Sequence, residues 1–352
     1  MNKEEQRIFS LDVLRVILAM MVIVLHINNS AGGKALSMSA TNKGVHEFLL
    51  AIEAFSICAV NCFVLISGYF LSNTQKRKLK KPIMLLGTVV CYHLLFYGCE
   101  MLLSREFSLT VLIKNSLPIN YYVWLYGTLY FISPYINVCL NQLSQKKFEL
   151  LCLILFALFI LWPTVVGLYT GITGTVIQQI STISSVDHGS GYTIVQFVVM
   201  YILGAYIRRF PPNYGAKTWC VLYALSSLIV YGLLHLTMAA IEYSNCFVVM
   251  SAVSLVISFT KIKRVRGALI IQKLASVSFN VFLVHGFLMP LLQLFPFAEV
   301  IKEGSLICAV MSFGFSLLLL YLLSVTISVV TRKVMKPITN LVSRVLLCEY
   351  EV

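Results

Sequence analysis

Charge is scarce in this chain: Asp, Glu, Lys and Arg make up 12% of its 352 residues, and the acidic ones number 14. Soluble globular domains carry about 25% charged residues, so that class is excluded. No polar stretch is long enough for a separate soluble domain, and residues 1–352 read as one embedded domain. Familiar catalytic signatures are also missing. There is no Walker loop, no glycine-rich dinucleotide turn after a strand, no His-x-x-Glu-His pair and no Gly-x-Ser-x-Gly elbow. Their absence weighs against ATP-driven, redox and metallohydrolase chemistry. The ten cysteines are scattered mostly inside apolar runs, which gives no disulfide framework. Cys58 and Cys62 fall one helical turn apart; a metal pair is one reading, small packing residues the expected one, and no metal is expected.

What the chain has in abundance is hydrocarbon: 59% hydrophobic residues and a mean hydropathy of +0.87. Apolar runs of about 20 residues, enough to cross a bilayer, recur from end to end. An all-α polytopic membrane protein follows, with about ten transmembrane helices predicted at 8–29, 47–71, 82–103, 119–140, 149–169, 192–207, 217–237, 243–260, 274–295 and 305–330. Of the 27 Lys and Arg residues, 21 fall in alternate segments that include both termini. Only Lys34, Lys43, Arg105, Lys114 and Lys302 fall in the opposite loops, and Arg15 lies within a span. Both termini are therefore predicted to be cytoplasmic. The net charge of +13 follows this topology rather than forming a stripe, so nucleic acid is not an expected partner, whereas anionic lipids are. The basic, apolar N-terminus also resembles a cleaved signal peptide; cleavage near Ala31 would discard the polar residues considered next, and the segment is expected to be retained.

Asp12, Arg15 and His26 sit inside or at the edge of the first span. An arginine there costs roughly 2.5 to 3.5 kcal/mol on insertion scales, which makes a functional role the default expectation. Eleven residues of helix turn through about 1100° and rise about 16 Å, so Arg15 and His26 share a face at two depths. Asp12, three residues before Arg15, is spaced to pair with it.

The Arg-x10-His pattern resembles the start of the membrane acyltransferase-3 family, bacterial integral membrane proteins that O-acylate sugars with acyl-CoA. Further likenesses follow in order along the chain. They are Phe63-Val64-Leu65-Ile66-Ser67-Gly68-Tyr69, then Tyr122-Val123-Trp124-Leu125-Tyr126 with Ser133-Pro134, and finally Ser278-Phe279-Asn280-Val281-Phe282-Leu283-Val284-His285. The resemblance implies a multi-pass enzyme of the bacterial cytoplasmic membrane. It would move an acyl group, expected to be acetyl, from cytoplasmic acyl-CoA to a hydroxyl of a cell-envelope or exported polysaccharide or its lipid-linked precursor.

On that reading His26 is the general base, since neutral imidazole is the usual protein base near pH 7. Arg15, oriented by Asp12, holds the phosphate or thioester end of the coenzyme. His285 is expected to face His26 across a central cavity and to help bind the acceptor. Glu53 and Glu100 lie in the outer halves of their spans, where a carboxylate can hold a sugar hydroxyl or orient a histidine. Ser67 and Gly68 fit either helix packing or close approach to substrate, and Trp124 either the aromatic belt or a sugar-stacking platform. The run Lys76-Arg77-Lys78-Leu79-Lys80-Lys81 anchors topology and lipid, or draws in coenzyme phosphates through Arg77, Lys78 and Lys81. Here the chain departs from the arginine-rich version of this region in many relatives, and lysine lacks the bidentate fork. His93 and His235 show no partner pattern, and the Gly/Ser/Thr-rich stretch Thr170–Gly191, with Asp187 and His188, reads as a lid or a connector.

Two other classes fit the same polar stripe. A transporter or flippase of a polar solute would use it as a relay, although no repeats or broken helices are visible. The membrane part of a cell-wall sensing or resistance protein is the third.

Overall fold

The structure, a computed structural model, describes residues 8–74, 76–78, 80–175, 192–262, 268–345 and 349–350, with backbone alone for 268, 334–345 and 349–350. Its helices run α1 (Phe9–Asn28), α2 (Ala35–Met38), α3 (Lys43–Ser56), α4 (Ala59–Leu71), α5 (Lys80–Ser104), α6 (Leu109–Asn115), α7 (Tyr121–Asn141), α8 (Gln145–Phe156) and α9 (Trp162–Thr173). They continue as α10 (Ile194–Arg209), α11 (Ala216–Leu234), α12 (Cys246–Thr260), α13 (Ala268–Leu288), α14 (Phe297–Glu303) and α15 (Leu306–Val345). Strand is confined, among the described residues, to β1 (Arg77–Lys78) and β2 (Glu349–Tyr350), paired antiparallel. The all-α polytopic class stands.

Nine helical runs among the described residues are long and apolar enough to cross a membrane. The tenth predicted span, 192–207, is the helix α10, whose 16 residues rise only about 24 Å against a hydrocarbon core of about 30 Å. Its residues are largely buried by neighbouring helices, so protein rather than lipid surrounds it. Predicted span 47–71 is one run of 29 residues interrupted by a turn at Ile57 and Cys58, between α3 and α4. That break is not visible as a Gly or Pro in the sequence. Span 149–169 passes through a π turn, Ala157–Leu161, before Pro163, which lacks the N–H that a regular turn would use. Most of the Thr170–Gly191 stretch, including Asp187 and His188, lies outside the described residues.

The chain divides into two compact units: the described parts of Met1–Leu71 with Leu143–Val325, and of Ser72–Gln142 with Thr326–Val352. In the first, α1 is the central helix; Leu11, Leu14, Leu18, Ile23 and Ile27 are fully buried. Lipid is as apolar as leucine, so helices inside a bilayer are held by close approach and polar bonds rather than by exclusion of water. Both devices are present. A Cβ at Gly68 of α4 would run into the backbone carbonyl of Tyr201, and one at Gly204 of α10 into that of Leu65, so these glycines let two helix backbones touch. Nearby, buried Asn61 and Gln196 both donate to the Tyr243 carbonyl, at 2.8 and 2.9 Å. Cys62 Sγ reaches the Ala252 carbonyl at 3.6 Å, and both Cys58 and Cys62 are buried and free, consistent with packing. The predicted outer starts of α7, α10 and α12 are capped by Asn120, Thr193 and Asn245, whose side chains accept N–H groups of the first turn.

In the second unit Arg77 is the organising residue. It is 1% exposed and donates through Nε and one terminal nitrogen to Ser133 Oγ at 3.0 and 2.9 Å. The other terminal nitrogen donates to Thr74 O and Oγ1 and to Lys76 O. Its guanidinium also lies 5.5 Å from the centre of the Tyr130 ring.

Candidate active site

Two histidines from opposite ends of the sequence meet in the first unit. The rings of His26 on α1 and His285 on α13 are edge to face, with centroids 4.6 Å apart and planes at 81°. The expectation places them on two sides of a central cavity; in the structure the two rings are in direct contact. Each ring is held by its own helix: His26 Nδ1 lies 2.9 Å from Val22 O, and His285 Nδ1 3.1 Å from Val281 O. A carbonyl only accepts, so Nδ1 carries the proton in both neutral rings and Nε2 is the free basic nitrogen. His285 is 2% exposed, and its Nε2 has no hydrogen-bond partner. His26 is half-buried. The arrangement leaves one imidazole base reachable and a second packed against it.

Toward the predicted inner end of α1, Arg15 and Asp12 form the expected ion pair at 2.8 Å. Asp12 is 1% exposed, while the Arg15 side chain keeps 32% of its surface open. The guanidinium lies over Phe70 at 5.1 Å, and Arg208 lies over the adjacent Tyr69 at 4.9 Å. Sequence reasoning missed both aromatic seats and Arg208, because they join helices far apart in the chain.

Glu53 is buried, but its partner is not a histidine. Asn28 Nδ2 donates to Glu53 Oε2 at 2.9 Å and to Leu49 O at 3.2 Å, which ties the predicted outer end of α1 to α3. Asn28 Oδ1 is left buried with no partner. Ser67 Oγ bonds back to Phe63 O within α4 at 2.9 Å, and Gly68 faces Tyr201, where it serves the contact of α4 with α10.

A cavity of about 380 Å³ opens where the two histidine helices exit. Gly32, Gly33 and Lys34 follow α1, and Met289, Leu292 and Gln293 follow α13; Glu299 of α14 completes the rim. The Gly33 N–H donates to His26 O at 2.8 Å, and a Cβ at Gly32 would collide with that same carbonyl. Glycine is therefore required for the loop to fold back over the end of the His26 helix.

The remaining predicted residues lie in the second unit. Buried Arg77 turns its donors inward, so it offers no fork to a ligand; the coenzyme-binding expectation for it does not fit its surroundings. Lys78 and Lys81 are exposed, although the Lys78 backbone bonds to Tyr130 Oη and the Lys81 ammonium lies 6.0 Å from that ring. Trp124 is 54% exposed and its Nε1 donates to Pro118 O at 3.0 Å. Glu100 is exposed. His93 and His235 do have partners: Asn115 Oδ1 lies 3.2 Å from His93 Nδ1, and in the first unit Glu47 lies 3.4 Å from His235 Nε2.

Among the described residues no group of three or more His, Cys, Asp or Glu side chains is gathered in a way that would hold a metal ion. Comparison with curated proteins and with solved structures returns no match. A family model does match: that of the acyltransferase domain of the acyltransferase-3 type, over residues 8–333, which takes in both histidine-bearing helices and the Arg15–Asp12 pair. The chain belongs to the acyltransferase-3 family of membrane acyltransferases.

Proposed function

We propose that this acyltransferase moves an acetyl group from cytoplasmic acetyl-CoA to a hydroxyl of a bacterial cell-envelope or exported polysaccharide, or of its lipid-linked precursor. The observation that carries the reading is the His26–His285 pair, two imidazoles at 4.6 Å with both Nδ1 atoms held and both Nε2 lone pairs left over. His26 Nε2 takes the proton of the acceptor hydroxyl as its oxygen attacks the thioester carbonyl carbon. The C–S bond breaks, and the proton passes from His26 to the departing coenzyme thiolate. His285 fixes the plane of His26, because an edge-to-face contact restricts ring rotation. Arg15, held by Asp12, supplies charge-assisted hydrogen bonds to the donor from the cytoplasmic side. The cavity at the helix exits, one to two turns beyond the histidines, is of a size for a sugar unit, and its Lys34, Gln293 and Glu299 suit hydroxyl groups.

The test is isotopic. Purified protein in nanodiscs is given acetyl-CoA labelled in the acetyl group together with glycan extracted from the producing cells. Mass spectrometry should find the label on a glycan hydroxyl, with free coenzyme A released in equal amount. Glycan that remains unlabelled while acetyl-CoA stays intact would contradict the reading and favour solute transport.

A further inference from the structure

A second cavity, of about 580 Å³, lies at the opposite, predicted cytoplasmic ends of the helices of the first unit. It is lined by the end of α10 and its exit loop (Tyr206, Arg209, Phe210, Asn213), the start of α8 (Gln145) and the start of α11 (Trp219). Tyr206 and Phe210 on its wall belong to a cluster of aromatic rings, with Phe148 buried behind them. Phe148 meets Tyr206 at 5.4 Å and Phe210 at 6.1 Å, and Tyr206 meets Phe210 at 5.4 Å. The Arg209 guanidinium lies 5.3 Å from the centre of the Phe210 ring. Trp219 also lines the cavity, with its indole Nε1 itself buried and without a hydrogen-bond partner.

The charges around the cavity have one dominant sign. Lys146, Lys147, Arg208, Arg209, Lys217 and Lys261 lie on the segments that form it, against one carboxylate, Glu149. Glu149 accepts from Gln145 and from Tyr206 Oη, both at 2.9 Å, and Lys261 donates to the Pro212 carbonyl. Flat aromatic faces capped by guanidinium suit a nucleobase, and Arg209, the cation on the lining, suits a phosphate.

We propose that this cavity receives the nucleotide end of the acyl donor, the adenosine bisphosphate of coenzyme A, with adenine among Phe210, Tyr206 and Trp219 and its phosphates near Arg209. The assignment rests on the reading that the donor is acyl-CoA. The α10 helix also links the cavity to the polar end of α1: Arg208, next to Arg209, sits on Tyr69, whose neighbour Phe70 carries Arg15.

Adenosine 3′,5′-bisphosphate, which has no thiol and no acyl group, is the probe. The full chain in nanodiscs is titrated with it while tryptophan emission and heat are followed. We expect saturable binding that quenches emission, and the quenching should vanish in Trp219→Phe but persist in Trp124→Phe. Phe210→Ala should weaken the calorimetric affinity about tenfold or more. Acetyl-CoA should compete, and raising phosphatidylglycerol in the disc should not. Binding that Phe210→Ala leaves unchanged, or no saturable binding, overturns the proposal; displacement by phosphatidylglycerol but not by acetyl-CoA overturns it in favour of a lipid headgroup. Labelled acetyl transfer on the same preparation separates the two claims. Transfer without pocket-dependent binding refutes the cavity alone, and binding without transfer refutes the acceptor reading alone.

Discussion

Two arginines in apolar surroundings, Arg15 in the first unit and Arg77 in the second, have opposite surroundings. Arg77 is 1% exposed and its guanidinium is ringed by Ser133, Thr74 and Lys76 acceptors. Arg15 has one carboxylate partner and an aromatic seat, with 32% of its side chain open. Burial with all donors engaged is what a structural arginine requires, since each unpaired group costs about 1–3 kcal/mol. An arginine that keeps donors free beside a fully buried carboxylate is positioned but not saturated. The contrast teaches that a cation's vacancies, rather than its presence in a hydrophobic span, decide whether it can serve a ligand.

Substitutions should separate the two regions by the kind of effect as well as its size. The largest loss belongs to neither arginine but to the base that Arg15 serves: His26→Ala should lower kcat for acyl transfer by about 10²–10⁴-fold, with membrane level and melting temperature unchanged. Arg15→Lys keeps the charge and loses the fork, and a loss of about 10–100-fold in kcat/KM for the acyl donor is expected from initial rates. Near-normal rates there would erase the distinction drawn for Arg15. His285→Ala should slow transfer by up to about 10²-fold through loss of ring orientation, with KM for the donor little changed. Arg77→Ala should instead lower the melting temperature in detergent, by an amount matching about 1–3 kcal/mol, while the folded fraction keeps its KM for the donor. Smallest of all, Lys78→Ala, which removes an exposed charge, should leave both rate and stability within about fivefold of wild type.

Much of this layout was legible in the sequence, and the reasons are local. Spans follow from apolar runs of about 20 residues, and the Asp12–Arg15 pair from i,i+3 spacing on one helix. His26 stands out in the sequence because it shares a helix face with Arg15. What could not be read depends on residues distant in the chain. In the run Lys76–Lys81 nothing marks Arg77 as the one turned inward; Ser133 and Tyr130, more than fifty residues later, decide it. Glu53 is expected to hold a sugar hydroxyl or orient a histidine, and nothing in the sequence marks Asn28, two residues past His26, as the donor to its carboxylate. His285 was foreseen near His26, yet its edge contact was not, since the packing of α13 on α1 has no one-dimensional signature. The interruption at Ile57 and Cys58 lacks Gly or Pro, so its cause lies in tertiary packing rather than in chain propensity.

The most direct test of the account is the rate of coenzyme A release from acetyl-CoA by purified protein in nanodiscs with extracted glycan present, wild type beside His26→Ala. The account predicts acceptor-dependent release by wild type and about a 10²-fold or greater loss in the variant, both proteins melting at the same temperature. Release by His26→Ala at the wild-type rate would contradict the role assigned to the histidine pair.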